Sequence, residues 1–158
     1  MNRAEEKLNS SNALQVARQN AMALVARAEP AELASVLDAL APVPAASDLR
    51  PAQVGLVMLR GRTGSDGAPF NLGEATVARA AVRLEGGQAG FAYRLGRDAG
   101  AARQAAILDA LWQDASRRAA VEAALAPVRA RLAARRATVE AETAATKVDF
   151  FTLVRGED

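Results

Sequence analysis

The spacing of apolar residues changes twice along this chain, and those two changes set its fold class. Leu14, Ala17, Ala21, Leu24, Val25 and Ala28 recur every three or four residues, which places them on one face of a helix. Pro30 is acceptable at a first helical position and opens a second helix, with Leu33, Val36, Leu37 and Leu40 as its buried stripe. Pro42 and Pro44 end that helix. Residues 42–51 read as a connector, because Pro51 disfavours helical geometry at Arg50.

From Val54 the period becomes two. Val54, Leu56 and Met58 fall on one side of a strand and Val57 and Leu59 on the other, so the strand is apolar on both sides until it reaches Arg60 and Arg62. Gly64, Ser65, Asp66, Gly67 and Pro69 form a loop. A second strand, about 74–84, places Thr76, Ala78, Ala80, Val82 and Leu84 opposite Arg79 and Arg83. Gly86 and Gly87 supply the hairpin turn at 85–88. A third strand, about 89–95, places Phe91, Tyr93 and Leu95 opposite Ala92 and Arg94.

The helical period then returns. Asp98 is placed to cap a helix with the stripe Gln104, Ile107, Leu108, Leu111 and Trp112. Val121, Leu125, Val128 and Leu132 continue a stripe that Pro127 must kink or restart. A final strand is expected at about 146–155, where Val148, Phe150, Thr152 and Val154 alternate with Asp149, Phe151, Leu153 and Arg155. This order of elements describes one α+β domain, 13–158, after a flexible N-terminal segment, 1–12. A three-strand antiparallel meander plus the C-terminal strand packs with N-terminal and C-terminal helices.

Composition excludes several chemistries. There is no cysteine, which removes thiolate nucleophiles and cysteine-held iron-sulfur clusters. There is no histidine, the commonest general base near neutral pH and the commonest metal ligand. No carboxylate pair has the third ligand that a metal site needs, so no metal is expected. The first ten residues hold no apolar run of the kind that directs secretion, and no segment reads as a membrane span, so the expected compartment is the cytoplasm. Net charge is +2, carried almost entirely by arginine.

The residue clusters have ordinary explanations. The glycines at 61, 64 and 67 lead through Pro69 into a strand rather than a helix N-terminus, so they read as a simple strand connection rather than a phosphate cradle, the alternative being a loop that touches a substrate or partner subunit. Arg60 and Arg62 share a strand side, as do Arg79 and Arg83. Each pair can grip an anion or a partner carboxylate, or simply lie on a solvated sheet face. Arg129, Arg131, Arg135 and Arg136 are followed by Glu140 and Glu142, with Arg136 and Glu140 one helical turn apart. That pattern describes a solvated helix face rather than a nucleic-acid surface. Phe150 and Phe151 point to opposite sides of an extended tail, so one of them needs cover from outside the domain's own core.

Two segments carry a resemblance. One holds Arg60-Gly61-Arg62, Pro69-Phe70-Asn71-Leu72-Gly73-Glu74-Ala75-Thr76, Arg79-Ala80-Ala81-Val82-Arg83-Leu84 and Leu95-Gly96-Arg97-Asp98. The other is the tail Val148-Asp149-Phe150-Phe151-Thr152-Leu153-Val154-Arg155-Gly156. Together they resemble the PhnG family, the G subunit of the bacterial carbon-phosphorus lyase core complex, from about Val16 onward. The resemblance implies a subunit of a ribose 1-methylphosphonate 5-triphosphate synthase, a transferase that joins a phosphonate to C1 of the ATP ribose and displaces adenine.

The resemblance also implies partners of the PhnH, PhnI and PhnJ type in a twofold-symmetric complex, with neither nucleic acid nor membrane. ATP is then a substrate of the complex, the iron-sulfur cluster and S-adenosylmethionine belong to a partner subunit, and this chain binds no cofactor. Arg60, Arg62, Arg79, Arg83 and Arg97 are expected at a ligand or subunit interface, and Phe150, Phe151 and Arg155 at an interface. Glu74 is the candidate to test for catalysis. Gln53-Val54 stands where the family pattern commonly has Glu-Thr, and Ala101-Ala102-Arg103 where it commonly has a His-Ala-Glu-like step. The rival reading is a free-standing arginine-rich protein that binds nucleic acid or another anionic ligand.

Overall fold

The computed structural model describes residues 3–64 and 66–147. Among them the helical periods become α1 (Arg3–Arg27), α2 (Pro30–Ala39), α3 (Ala99–Gln113), α4 (Arg118–Ala124) and α5 (Ala126–Ala145). The extended segment between becomes β1 (Ala46–Arg62), β2 (Pro69–Leu84) and β3 (Ala89–Leu95), an antiparallel sheet in the order β1-β2-β3. None of the helices among the described residues is long and apolar enough to cross a membrane.

Local chemistry sets the element ends. Pro30 begins α2, where the Glu29 N–H donates to Glu32 Oε2 at 2.8 Å and satisfies an otherwise orphaned amide. Asp98 caps α3 by accepting from the Ala101 N–H at 2.8 Å, a contact of about 1 kcal/mol. Pro127 lies in the first turn of α5, so the last helical stretch restarts there, as its position requires. The β2–β3 turn has Gly87 at φ 92°, a left-handed conformation that glycine adopts without a Cβ clash.

β1 and β2 are longer than the alternation alone suggests, while β3 has the expected bounds. β1 begins at Ala46, inside the expected connector, and runs through Pro51. Proline is tolerated because β1 is an edge strand and its register shifts on either side of Arg50. β2 starts at Pro69, pairing with Arg62, although β3 pairs only with residues from Val77 onward. The far ends of β1 and β2 therefore form a two-stranded ribbon that reaches past the third strand and leaves Leu56, Met58 and Leu72 exposed.

One face of the sheet is closed by helices. Ala78, Ala80, Val82 and Leu84 of β2 and Ala92 of β3 are buried with α3, whose Ala102, Ala106, Leu108 and Leu111 are fully enclosed. The contact is close enough that a Cβ placed on Gly90 would lie 1.9 Å from the Ala106 carbonyl oxygen. Small side chains on α3 and a glycine on β3 are what let helix backbone rest on strand backbone. Leu33, Val121, Leu125 and Val128 complete the core from α2, α4, the α4–α5 junction and α5.

The expected fourth strand is not present among the described residues. Thr146 caps α5, with its Oγ1 donating to the Thr143 carbonyl at 2.8 Å, so helix persists where the strand was expected to begin. The remainder of that segment, including Phe150, Phe151 and Arg155, lies outside the described residues.

Candidate functional site

Two side chains that the apolar pattern conceals organise the helical side. Arg94 is 9% exposed, and its Nη2 donates to the Ala28 carbonyl at 2.5 Å while Nη1 donates to the Val25 carbonyl. These acceptors lie at the C-terminal end of α1, where unpaired carbonyls and the helix dipole favour a cation. Burial pushes the Arg94 pKa below its ordinary value, and the carbonyls replace the lost water.

Asp109, on the buried face of α3, accepts from Arg18 Nε and Nη2 at 2.9 and 2.8 Å and from the Phe91 N–H at 2.9 Å. Hydrogen bonding to Asp109 raises the Arg18 pKa. Together with Gln113, which donates to the Ala89 carbonyl at 2.7 Å, Asp109 closes the outer edge of β3. Both residues are structural. The available signal was a single carboxylate beside Leu108 and Trp112 in an otherwise apolar helix.

The opposite sheet face is open. Strand register arranges it in rows: Ser47, Arg83 and Ala89; Arg50, Ala81 and Phe91; Gln53, Arg79 and Tyr93; Gly55, Val77 and Leu95. Arg79 and Arg83 do share this side with Phe91, Tyr93 and Leu95, as the alternation requires. Small Ala81 lies between larger neighbours on β1 and β3, leaving a groove of about 380 Å³ lined by Leu49, Arg50, Arg79, Ala81, Phe91 and Tyr93. The Gln53 carboxamide oxygen, turned toward Arg79, accepts from Nε and Nη2 at 3.1 Å each. The strand partner of Arg79 is thus a neutral amide.

The five arginines expected at a ligand or interface do not form one cluster. Arg60 is seven residues from Gln53 on β1, about 23 Å along the strand, so it lies on the ribbon and not beside Arg79. Arg62 is also on the ribbon, where its Nη1 donates to the Gly67 carbonyl at 3.2 Å. Arg97 is exposed just past the end of β3. Glu74 is exposed on the ribbon opposite Met58. Among the described residues, no group of three or more histidine, cysteine, aspartate or glutamate side chains converges to hold a metal.

The basic run on α5 is largely committed to pairs within the chain. Arg131 reaches across to Glu32 at 2.6 Å, Arg129 meets Glu122 at 2.7 Å, and Arg136 meets Glu140 at 2.6 Å. Arg103 ties α3 to β1 by donating to Asp48 at 2.8 Å and to the Ala46 carbonyl at 2.9 Å. A cavity of about 320 Å³ under α1 is walled by apolar groups such as Met22, Leu108, Trp112 and Leu125, with Asp109 already engaged at its margin. It holds no arrangement of nucleophile and base.

Comparison with known proteins agrees with this picture over nearly the whole chain. Residues 16–156 match the phosphonate metabolism protein PhnG family. The chain is 52% identical over 141 residues to the alpha-D-ribose 1-methylphosphonate 5-triphosphate synthase subunit PhnG of Rhizobium meliloti (strain 1021), covering 89% of this chain and 90% of that protein. With a match of this length and identity, spanning the open sheet face, the ribbon and the helical layer alike, the chain belongs to the PhnG family of phosphonate metabolism proteins.

Proposed function

We propose that this chain is the PhnG subunit of a ribose 1-methylphosphonate 5-triphosphate synthase and that the reacting groups of that enzyme lie mainly in its partners. The observation that carries the reading is the near full-length identity to a synthase subunit. The reaction joins a phosphonate oxygen to C1 of the ATP ribose as the bond from C1 to adenine breaks. Such a step calls for a leaving-group acid and a site that holds triphosphate and phosphonate together. Glu74, the carboxylate singled out by the sequence, stands exposed on the ribbon opposite Met58, away from the groove between Arg79 and Phe91.

The partners are subunits of the PhnH, PhnI and PhnJ type in a twofold-symmetric assembly. The iron-sulfur cluster and S-adenosylmethionine belong to the J-type subunit, and this chain binds no cofactor of its own. Arg60, Arg62, Arg79, Arg83 and Arg97, together with Phe150, Phe151 and Arg155, serve contacts between subunits. What supports this is the exposure of large apolar groups on the sheet, which a chain acting alone would have reason to bury.

The test is adenine release from ATP and methylphosphonate. The isolated chain is expected to release none, and the assembled subunits to release it. With assembly verified, Glu74→Gln should lower the rate by less than the ~10²- to 10⁴-fold typical of a lost general acid or base. Release by the isolated chain, or a several-hundredfold loss on Glu74→Gln in a fully assembled complex, would place catalysis in this chain instead.

A further inference from the structure

The arginines divide according to the layer that carries them. On the helical side, Arg18, Arg103, Arg129, Arg131 and Arg136 each meet a carboxylate. Arg94, Arg117 and Arg118 donate to backbone carbonyls. On the open sheet face, Arg50, Arg79 and Arg83 occupy three adjacent rows in which no carboxylate appears, and the hydrogen-bond acceptor beside Arg79 is a neutral amide. The same face exposes Leu49 at 48%, Phe91 at 47%, Tyr93 at 56% and Leu95 at 80%. Among the described residues, positive charge without a counter-charge and apolar surface without cover thus coincide on one side of the sheet.

We propose that this face docks another protein subunit of the synthase, through a surface that sets carboxylates against Arg50, Arg79 and Arg83 and an apolar side chain into the groove over Ala81. The proposal rests on the subunit reading above and adds the surface and the chemistry of its partner. Arginine and tyrosine around a groove are the residue types that concentrate binding energy at protein interfaces. Protein is favoured over triphosphate by scale. Arg79 and Arg83 are four residues apart on β2, about 13 Å along the strand, too far for one phosphate to bridge, and the Phe91 to Leu95 row extends equally far. Such a surface is long, flat and half apolar, which suits a protein face better than a polyanion.

The experiment co-expresses the other synthase subunits with this chain and measures complex formation by size exclusion and titration. Arg79→Glu with Arg83→Glu, and separately Tyr93→Ala, should each weaken association, the charge reversal by at least ~30-fold. Thermal unfolding of each isolated variant should match the wild type, since these groups make few contacts within the chain. As a measurement that needs no variant, hydroxyl-radical labelling of Phe91, Tyr93 and Leu95 in the wild-type chain should fall on assembly. The proposal is overturned if the charge-reversed chain assembles normally or if those three side chains label equally in the free and assembled states. It is also overturned if the isolated chain binds ATP and charge reversal removes that binding while assembly stays intact. Failure of the wild-type chain to join the other subunits would bring down the subunit reading itself, and this proposal with it, a result distinct from a defect confined to the variants.

Discussion

Replacing Asp109 with alanine tests whether one buried carboxylate ties α1, α3 and β3 together. Asp109 is 4% exposed and is the acceptor for Arg18, for the Phe91 N–H and, at 3.3 Å, for Gln113 Nε2. Alanine leaves these donors in unequal difficulty. The Arg18 side chain is 33% exposed, so its guanidinium can rehydrate, and the lost pair should cost about 1 kcal/mol. The Phe91 N–H is on an edge covered by α3 and loses its acceptor, at about 1–3 kcal/mol. Gln113 keeps the Ala89 carbonyl and adds little. The expected loss is therefore about 2–4 kcal/mol, read from the urea midpoint of the isolated chain at unchanged m-value. Asp109→Asn preserves an acceptor for the Phe91 N–H and should cost distinctly less. In the double variant with Arg18→Ala the losses should sum to less than additivity, because the second change removes a partner already lost. An Asp109→Ala chain within about 0.5 kcal/mol of wild type, or strictly additive losses, would refute the reasoning.

Three further outcomes follow from particular contacts. Gly90→Ala forces a Cβ against the Ala106 carbonyl of α3, a backbone atom that cannot rotate away; it should cost about 3 kcal/mol and lower Tm by about 6–12 °C, measured by circular dichroism. Glu32 is held below its ordinary value of 4.5 by its hydrogen bond to Arg131, so the pair's stabilisation is complete above that value and is lost as pH falls through the lower folded one. Arg131→Ala should therefore flatten the fall in urea midpoint between about pH 5 and pH 3, and an unchanged acid slope would contradict the assignment. Deleting residues 149–158, which carry Phe150 and Phe151, should prevent assembly with the other subunits while leaving the helical circular dichroism signal nearly intact; a truncated chain that still assembles would remove that segment from the interface.

Much of this protein was decided locally, and those parts were legible in the sequence. Pro30, Asp98, Gly87 and Pro127 act on their immediate neighbours, so the ends of α2, α3 and α5 and the β2–β3 turn could be located from residue chemistry. Alternation likewise placed Arg79 and Arg83 opposite Ala78, Ala80 and Val82, and Phe91, Tyr93 and Leu95 opposite Ala92 and Arg94, because side-chain direction in a strand has period two. The family was legible in the ordered motifs from Arg60 to Asp98.

Which side of the sheet faces inward was decided only by tertiary structure. Hydrophobicity alone would turn the two aromatic rings of β3 toward the core and its arginine toward water. The reverse arrangement holds because alanine-rich α3 approaches the strand backbone at Gly90 too closely for rings to fit between them. A buried Arg94 becomes tolerable because the end of α1, more than sixty residues away in sequence, presents carbonyls that need a donor. Neither fact is a property of β3 itself. The same choice leaves Phe91, Tyr93 and Leu95 outside with Arg50, Arg79 and Arg83, so the composition of the exposed face follows from how closely one helix packs on the other.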